Sequence, residues 1–381
     1  MSHKPLDLTT DPIPHLVRAM AVPAAVGFFF QTMYNVVDTY FAGKISTDAL
    51  ASLSIGFPVF FMIIALASGT STGTTAVMAK ALGAKDHDSA RIYGGQVITF
   101  GLLVSVGLSA LGLWATPHLF RILGAEGQYL AMASTYMRII FAGCTFFIFA
   151  SVLNAPLNAV GDTRSFRNTL IIGFICNIIL DPWFVFGGLG LPAMGLRGVA
   201  YSTILIEAVI CGYLAFKVSQ TGLMGKHSLG YMRPRAACMR ELAINIVPAT
   251  FNMLTIGLGI FVITWFISRF GQNGVAAYGV ATRVEQIMLL PTIGLNTASL
   301  ALAGQNFGAN RMDRVRETTF TGIKYGFYLM VPAGILLLFV ARPFMAFFTN
   351  DAEVIRIGVQ YLRIAAFALF PYVILFVSVS T

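Results

Sequence analysis

Apolar residues fall in long blocks separated by short polar breaks, near 18–41, 53–79, 92–114, 130–158, 166–188, 193–217, 242–268, 276–303, 319–340 and 357–379. Each block can cross a bilayer as a helix, which takes about 20 residues at a rise of about 1.5 Å. Strands of a membrane barrel would alternate strictly over about ten residues, and no block does so. A helix also satisfies its own backbone donors and acceptors, which hydrocarbon cannot. The pattern predicts an all-α integral membrane protein with ten spans.

Composition agrees: 57% of the 381 residues are hydrophobic and 11% are charged, against about 25% charged in a soluble domain. The first fifteen residues are polar and contain proline, and Leu16 opens a span too long for a signal-peptide core, so no cleavable signal is expected. The cysteines follow no metal-ligand spacing and read as structural thiols, with Cys238 placed in a loop.

A net charge of +9 would suggest a nucleic-acid partner in a soluble protein. Its placement says otherwise. Assigned alternately to two sides, the N-terminus and the loops near 80–91, 159–167, 217–240 and 306–324 carry sixteen Lys and Arg. The other side carries eight: Lys44, Arg121, Arg138, Arg197, Arg269, Arg342, Arg356 and Arg363. By the positive-inside rule the basic side is cytoplasmic. The expected setting is a prokaryotic cytoplasmic (inner) membrane, with the N-terminus inside, the bilayer as partner and no nucleic acid.

The chain also repeats itself. At an offset of 225 residues Pro23-Ala24 meets Pro248-Ala249, Phe41 meets Phe266, Ala51 meets Ala276, and Gly83-Ala84 meets Gly308-Ala309. Arg91 meets Arg316, and Tyr136, Arg138 and Ile139 meet Tyr361, Arg363 and Ile364. One ungapped offset that matches loop glycines and arginines is more than shared hydrophobicity. Six spans, an even number, precede the second unit, so both start from the same side. That predicts two bundles related by a pseudo-twofold axis along the membrane normal, as in alternating-access transporters. The expected division is an N-terminal six-helix lobe at 1–216, a cytoplasmic linker at 217–240 and a C-terminal lobe at 241–381. Thr381 corresponds to Pro156, so the second unit stops in its fourth span, and the sequence reads as a fragment of a twelve-span, 6+6 plan.

The run PAAVGFFFQTMYNVVDTYFAGKISTDALA (23–51), LNAPLNAVGDTR (153–164), NIILDPWFVFG (177–187) and GQNFGANRMDRVRE (304–317) resemble the multidrug and toxin extrusion (MATE) family, in particular its DinF-like prokaryotic branch. The resemblance covers essentially the whole chain. It implies twelve helices in two lobes and export of cationic, usually aromatic compounds in exchange for Na⁺ or H⁺.

Acids at bilayer depth cost several kcal/mol and usually mark an ion or substrate path. The candidates are Asp38, Asp181, Glu207 and Glu285. Gln31, Asn35 and Asp38 stand at i, i+4 and i+7, so they share a helix face. Asp181 follows Asn177 by one turn and precedes Pro182, which frees the carbonyl of Ile178. Carboxylates, an amide and a free carbonyl are hard oxygen ligands suited to Na⁺, with Asp38 and Asp181 as the possible metal ligands. Two buried carboxylates held close are equally suited to sharing a proton. The bland alternative is an acid merely capped by its neighbouring Asn. The resemblance places a coupling-cation site at these positions, with Thr203 as a supporting ligand. At the repeat offset Asp38 becomes Ile263 and Gln31 becomes Ile256, so this chemistry belongs to the first unit alone.

Glu285 shows the converse pattern, since its counterpart is Phe60. It reads as a substrate-facing anion or as half of a salt link. Glu207 follows Thr203 by one turn and reads as a supporting group or a packing residue. Asn154 and Asn158 share one face; the resemblance puts them in a cavity wall, and interhelical hydrogen bonding is the alternative. Met33, Tyr34 and Phe60 offer adaptable or aromatic surface for flat organic cations. Asp48 and Asp162 are expected to cap helices or face solvent. No phosphate-binding loop, zinc pattern or nucleophile elbow is present. The expected protein is no enzyme and has no cofactor. It is a monomeric secondary transporter, an H⁺- or Na⁺-coupled antiporter of small organic cations. A flippase for lipid-linked or polyanionic substrates and a membrane scaffold are the alternatives.

Overall fold

The computed structural model describes residues 6–122, 125, 127–188, 190–224, 230–269, 272–348 and 351–381. The side chains of Asp48, Ala51 and Ala276 lie outside this description, as does the middle of the expected linker, 225–229. The described residues form eleven helices: α1 (Ile13–Ile45), α2 (Thr47–Gly83), α3 (His87–Ile122), α4 (Gly127–Ala142), α5 (Cys144–Ala159), α6 (Thr163–Phe186), α7 (Leu196–Ser219), α8 (Ala236–Ser268), α9 (Gln272–Gly308), α10 (Met312–Phe348) and α11 (Ala352–Ser380). Nine are long and apolar enough to span a membrane, and α4 with α5 makes a tenth as a bent pair.

The starts of several helices are set by short polar side chains. Ser46 accepts from the Ala49 amide at 3.0 Å, and Asp162 accepts from Ser165 at 3.0 Å. Asp351 accepts from Glu353 and Val354 at 2.8 and 3.1 Å. Each oxygen satisfies donors that the first turn leaves without partners. Asp162 thus takes the capping alternative. Cys238 lies in the first turn of α8, not in a loop.

The block 130–158, read as one span, is broken at Gly143, where α4 and α5 meet at 42°. A β-carbon at Gly143 would stand 2.5 Å from the Ile204 side chain of α7. Glycine lets the chain turn there and lets α7 come close. Its repeat equivalent, Ala368, sits inside the unbroken α11. Hydrophobic length does not reveal such a break.

Helices α1–α7 and α9–α11 each pack among themselves, α8 lies chiefly against α2, and the packing between the two halves follows the 225-residue repeat. A β-carbon on Gly83 would collide with the Gln305 carbonyl, and one on Gly308 with the Lys80 carbonyl. Gly83 and Gly308 are repeat equivalents, and so are Lys80 and Gln305. The same holds nearer the middle. Gly69 abuts Thr250, while its equivalent Gly294 abuts Ala25, the equivalent of Thr250. Reciprocal contacts of this kind define a pseudo-twofold axis between α2 and α9. They run from mid-helix to the end that carries the basic loops.

Two further devices fasten that end. The segment before α1 is gripped by the second bundle: the buried Arg314 donates to Asn306 Oδ1 at 2.8 Å and to the Asp11 carbonyl at 2.7 Å, and Asn306 donates to the Leu8 carbonyl at 3.0 Å. Within this segment the Thr9 hydroxyl and amide bind the Asp7 carboxylate and hold its pKa down at about 2. Gln96 of α3 clamps the chain ahead of α8, donating to the Tyr231 and Arg233 carbonyls at 2.5 and 2.7 Å and accepting from the Arg235 amide at 2.9 Å. α7 runs to Ser219 and α8 begins at Ala236, so helix ends reach into the expected 217–240 linker.

Replacing Gly308 by Leu should separate the bundles at their basic end and cost at least about 1–3 kcal/mol, the usual penalty for overpacking. Gly107→Ala, where nothing lies within 4 Å, should be neutral or stabilising by up to about 1 kcal/mol. Thermal unfolding in detergent checks both; equal melting temperatures would contradict the close approach.

Candidate functional site

The acids of α1 and α6 meet inside the first bundle. Asp38 is 8% exposed, and Asp181 and Asn177 are fully buried. Asn177 donates from its amide to Asp38 Oδ1 at 2.8 Å, and the Asp38 and Asp181 carboxyl groups adjoin one another. The buried Ser202 hydroxyl of α7 reaches Asp181 Oδ1. The i, i+4 spacing of Asn177 and Asp181 turns both toward α1, and Pro182 sits inside α6 immediately after them.

Several oxygens in this cluster lack a hydrogen-bond partner. Asn177 Oδ1, Asp181 Oδ2 and the Tyr34 hydroxyl are buried and unpartnered among the described residues. Thr203 is buried beside Tyr34, with its hydroxyl donating to the Val199 carbonyl at 2.8 Å. Buried polar atoms are rarely left unpaired. Two carboxylates plus an amide oxygen with a free lone pair make an oxygen-only set that a proton or a hard monovalent cation would complete. Among the described residues no group of three or more His, Cys, Asp or Glu gathers for a metal ion.

The structure separates other residues that the sequence grouped. Gln31 and Asn35 are exposed although they lie on the Asp38 side of α1. Helix periodicity gives direction, not depth of packing: α6 and α7 cover α1 around Asp38 and leave it open farther along. The cap on Asp38 therefore comes from Asn177 across the bundle and not from Asn35. Asn154 and Asn158 are buried on α5, and Asn154 Oδ1 is unpartnered among the described residues. Phe60 packs edge-on against Phe147 at 5.4 Å and belongs to the aromatic core between α2 and α5. Met33 and Glu207 are half-buried.

Glu285 is not half of a salt link among the described residues. It is 7% exposed, and it accepts from the Tyr361 hydroxyl at 2.7 Å. Tyr278 lies edge-on to Tyr361 at 5.4 Å. No cation pairs with Glu285 among the described residues, and Arg283 is exposed. Tyr136, the repeat equivalent of Tyr361, lies near Asp38 and Asp181. Tyr361 thus touches the buried acid of the second bundle, while Tyr136 is buried in the apolar core of the bundle that holds Asp38 and Asp181. Sequence reasoning saw Tyr136 and Tyr361 only as matches in the repeat, and missed Ser202. The adjacent Thr203 was a hint, but successive helix residues point about 100° apart.

Two pseudo-symmetric helical bundles in close contact, with a paired-acid site in one of them, match the plan of an integral membrane transporter. The sequence model of the MatE family matches residues 23–183 and 248–381, two segments whose starts are 225 residues apart. The chain belongs to the MATE family. It is similar to the probable multidrug resistance protein YoeA of Bacillus subtilis, 27% identical over 95% of this chain and 80% of that protein. It is also similar to an FAD transporter of Shewanella oneidensis, 27% identical over 92% of this chain and 77% of that protein. Among solved structures, the outward-facing conformation of a multidrug resistance MATE family transporter superimposes with a TM-score of 0.88 at 24% identity, over 99% of this chain and 85% of that one.

Replacing Asn177 by Ala should remove the hydrogen bond to a buried carboxylate and cost about 1–3 kcal/mol. Asn35→Ala, at an exposed position, should stay within about 0.5 kcal/mol. Melting temperatures of the two variants check this; equal losses would place Asn35 in the buried network.

Proposed function

We propose that this chain exports small organic cations in exchange for H⁺ or Na⁺, with the coupling ion held at Asp38, Asp181 and Asn177 and with Ser202 and Thr203 in support. The carrying observation is the pair of adjoining buried carboxylates with unpartnered oxygens around them. An unpaired charge at that depth is costly, so ion occupancy and the packing of α1 against α6 and α7 are linked. Ion binding neutralises the pair and favours one packing; an organic cation favours the ion-free state. The two ligands compete, and each shifts the population of states in proportion to its preference. The lobes 1–216 and 241–381, joined by 217–240, then rock about the pseudo-twofold axis.

In this reading the basic end is cytoplasmic, the N-terminus is inside, and the closed glycine contacts shut the cytoplasmic side. The open stretch of α1 at Gln31, Met33 and Asn35, together with Asn154 and Asn158, forms the wall that meets substrate. Glu285 with Tyr361 and Tyr278 supplies an acidic aromatic group in the opposite lobe. The protein acts as a monomer in the inner membrane.

One observation favours a second reading, a polyanionic or nucleotide-like cargo: the similarity to an FAD transporter. Proteoliposomes separate the two. Efflux of a fluorescent organic cation under an imposed pH or Na⁺ gradient supports the first, and movement of FAD with no effect on the cation supports the second. In the first reading Asp38→Asn should reduce gradient-driven efflux to the protein-free background while membrane insertion is kept. Undiminished efflux by Asp38→Asn would sink the ion-site assignment.

A further inference from the structure

A cavity of about 500 Å³ lies on the first bundle between the α4–α5 break and the start of α7. Neither α4 nor α7 packs extensively against a helix of the second bundle among the described residues. The cavity is therefore on the flank of the first bundle, away from the interface between bundles. Its walls carry Arg138, Arg197 and Tyr201 with Ile139, Phe146 and Ile204.

The two arginines are level with one another. Gly143 and Ile204 touch, which sets α4 and α7 in register, and both helices start from the end opposite the basic loops. Arg138 precedes Gly143 by five residues and Arg197 precedes Ile204 by seven, so they stand about 8 and about 10 Å toward that end. Both are exposed, and neither makes an ion pair or a hydrogen bond among the described residues. The apolar side chains Ile139, Phe146 and Ile204 lie between them and the middle of the spans. A polar rim above an apolar floor, opening sideways from a membrane helix bundle, matches one kind of molecule.

We propose that this cavity binds the phosphate headgroup of an anionic phospholipid, with its acyl chain lying along Phe146 and Ile204. Guanidinium groups fork onto phosphate oxygens, and each basic residue near a membrane surface adds attraction for anionic lipid. Lys and Arg are scarce at this end, eight against sixteen at the other, so two in one cavity are not explained by an orientation signal. The break at Gly143 shapes the floor of the cavity. An occupant would brace α4, α5 and α7, the last of which carries Ser202 and Thr203.

Native mass spectrometry of the full chain, with phosphatidylglycerol and phosphatidylcholine added in equal amounts, tests this. The unmodified protein should retain phosphatidylglycerol in preference. Arg138→Gln with Arg197→Gln should lower that retention roughly tenfold or more, and the paired Lys substitutions, which keep the charge without the fork, should lose clearly less. The Lys pair also separates loss of charge from loss of folding. Equal retention by the Gln pair, or equal binding of both lipids, would overturn the site. Stabilisation by inorganic phosphate alone, matching that by phosphatidylglycerol, would overturn the lipid.

Discussion

Hydrocarbon cannot answer a hydrogen bond, and that constraint governs nearly every feature of this structure. It forces each crossing segment into a helix, so secondary structure carries little choice. What remains to be decided is where polar side chains go, and they have only the protein interior or the two membrane surfaces. Asp38 therefore meets Asn177 and Asp181, Gln96 meets three backbone groups of the inter-bundle connection, and Arg314 meets the carbonyls of the N-terminal segment. Polar contacts of this kind specify helix neighbours that nonspecific apolar packing would leave degenerate. Close backbone approach at small residues does the rest, at Gly83, Gly308, Gly69 and Gly294.

Much of this was legible in the chain because it is written in periodicity and length. Block length gave the spans, one offset gave two bundles, and i, i+4 spacing put Asn177 and Asp181 on one face. The meeting of α1 and α6 acids followed from the cost of leaving either alone. The illegible parts share a cause. A break at Gly143, a hydroxyl from Ser202 and a tyrosine on Glu285 depend on which helix stands opposite, and a single sequence gives faces without partners. Asn35 shows the limit clearly. It shares a side of α1 with Asp38 but is exposed and makes no side-chain hydrogen bond to the acid pair among the described residues, so spacing alone does not say how deep a side chain sits.

The repeat exposes what each bundle has that the other lacks. Helix geometry and bundle contact obey the symmetry down to reciprocal glycine pairs. The acids do not obey it. At the repeat offset Asp38 becomes Ile263 and Glu285 corresponds to Phe60, yet the matched tyrosines persist, with Tyr361 hydrogen-bonded to Glu285 and Tyr136 in the bundle of Asp38. The backbone keeps the symmetry, and the buried polar side chains break it. The buried acid pair of the first bundle, set against the close contacts that α2 and α9 share, is where the side chains depart most from the symmetry that the backbone keeps.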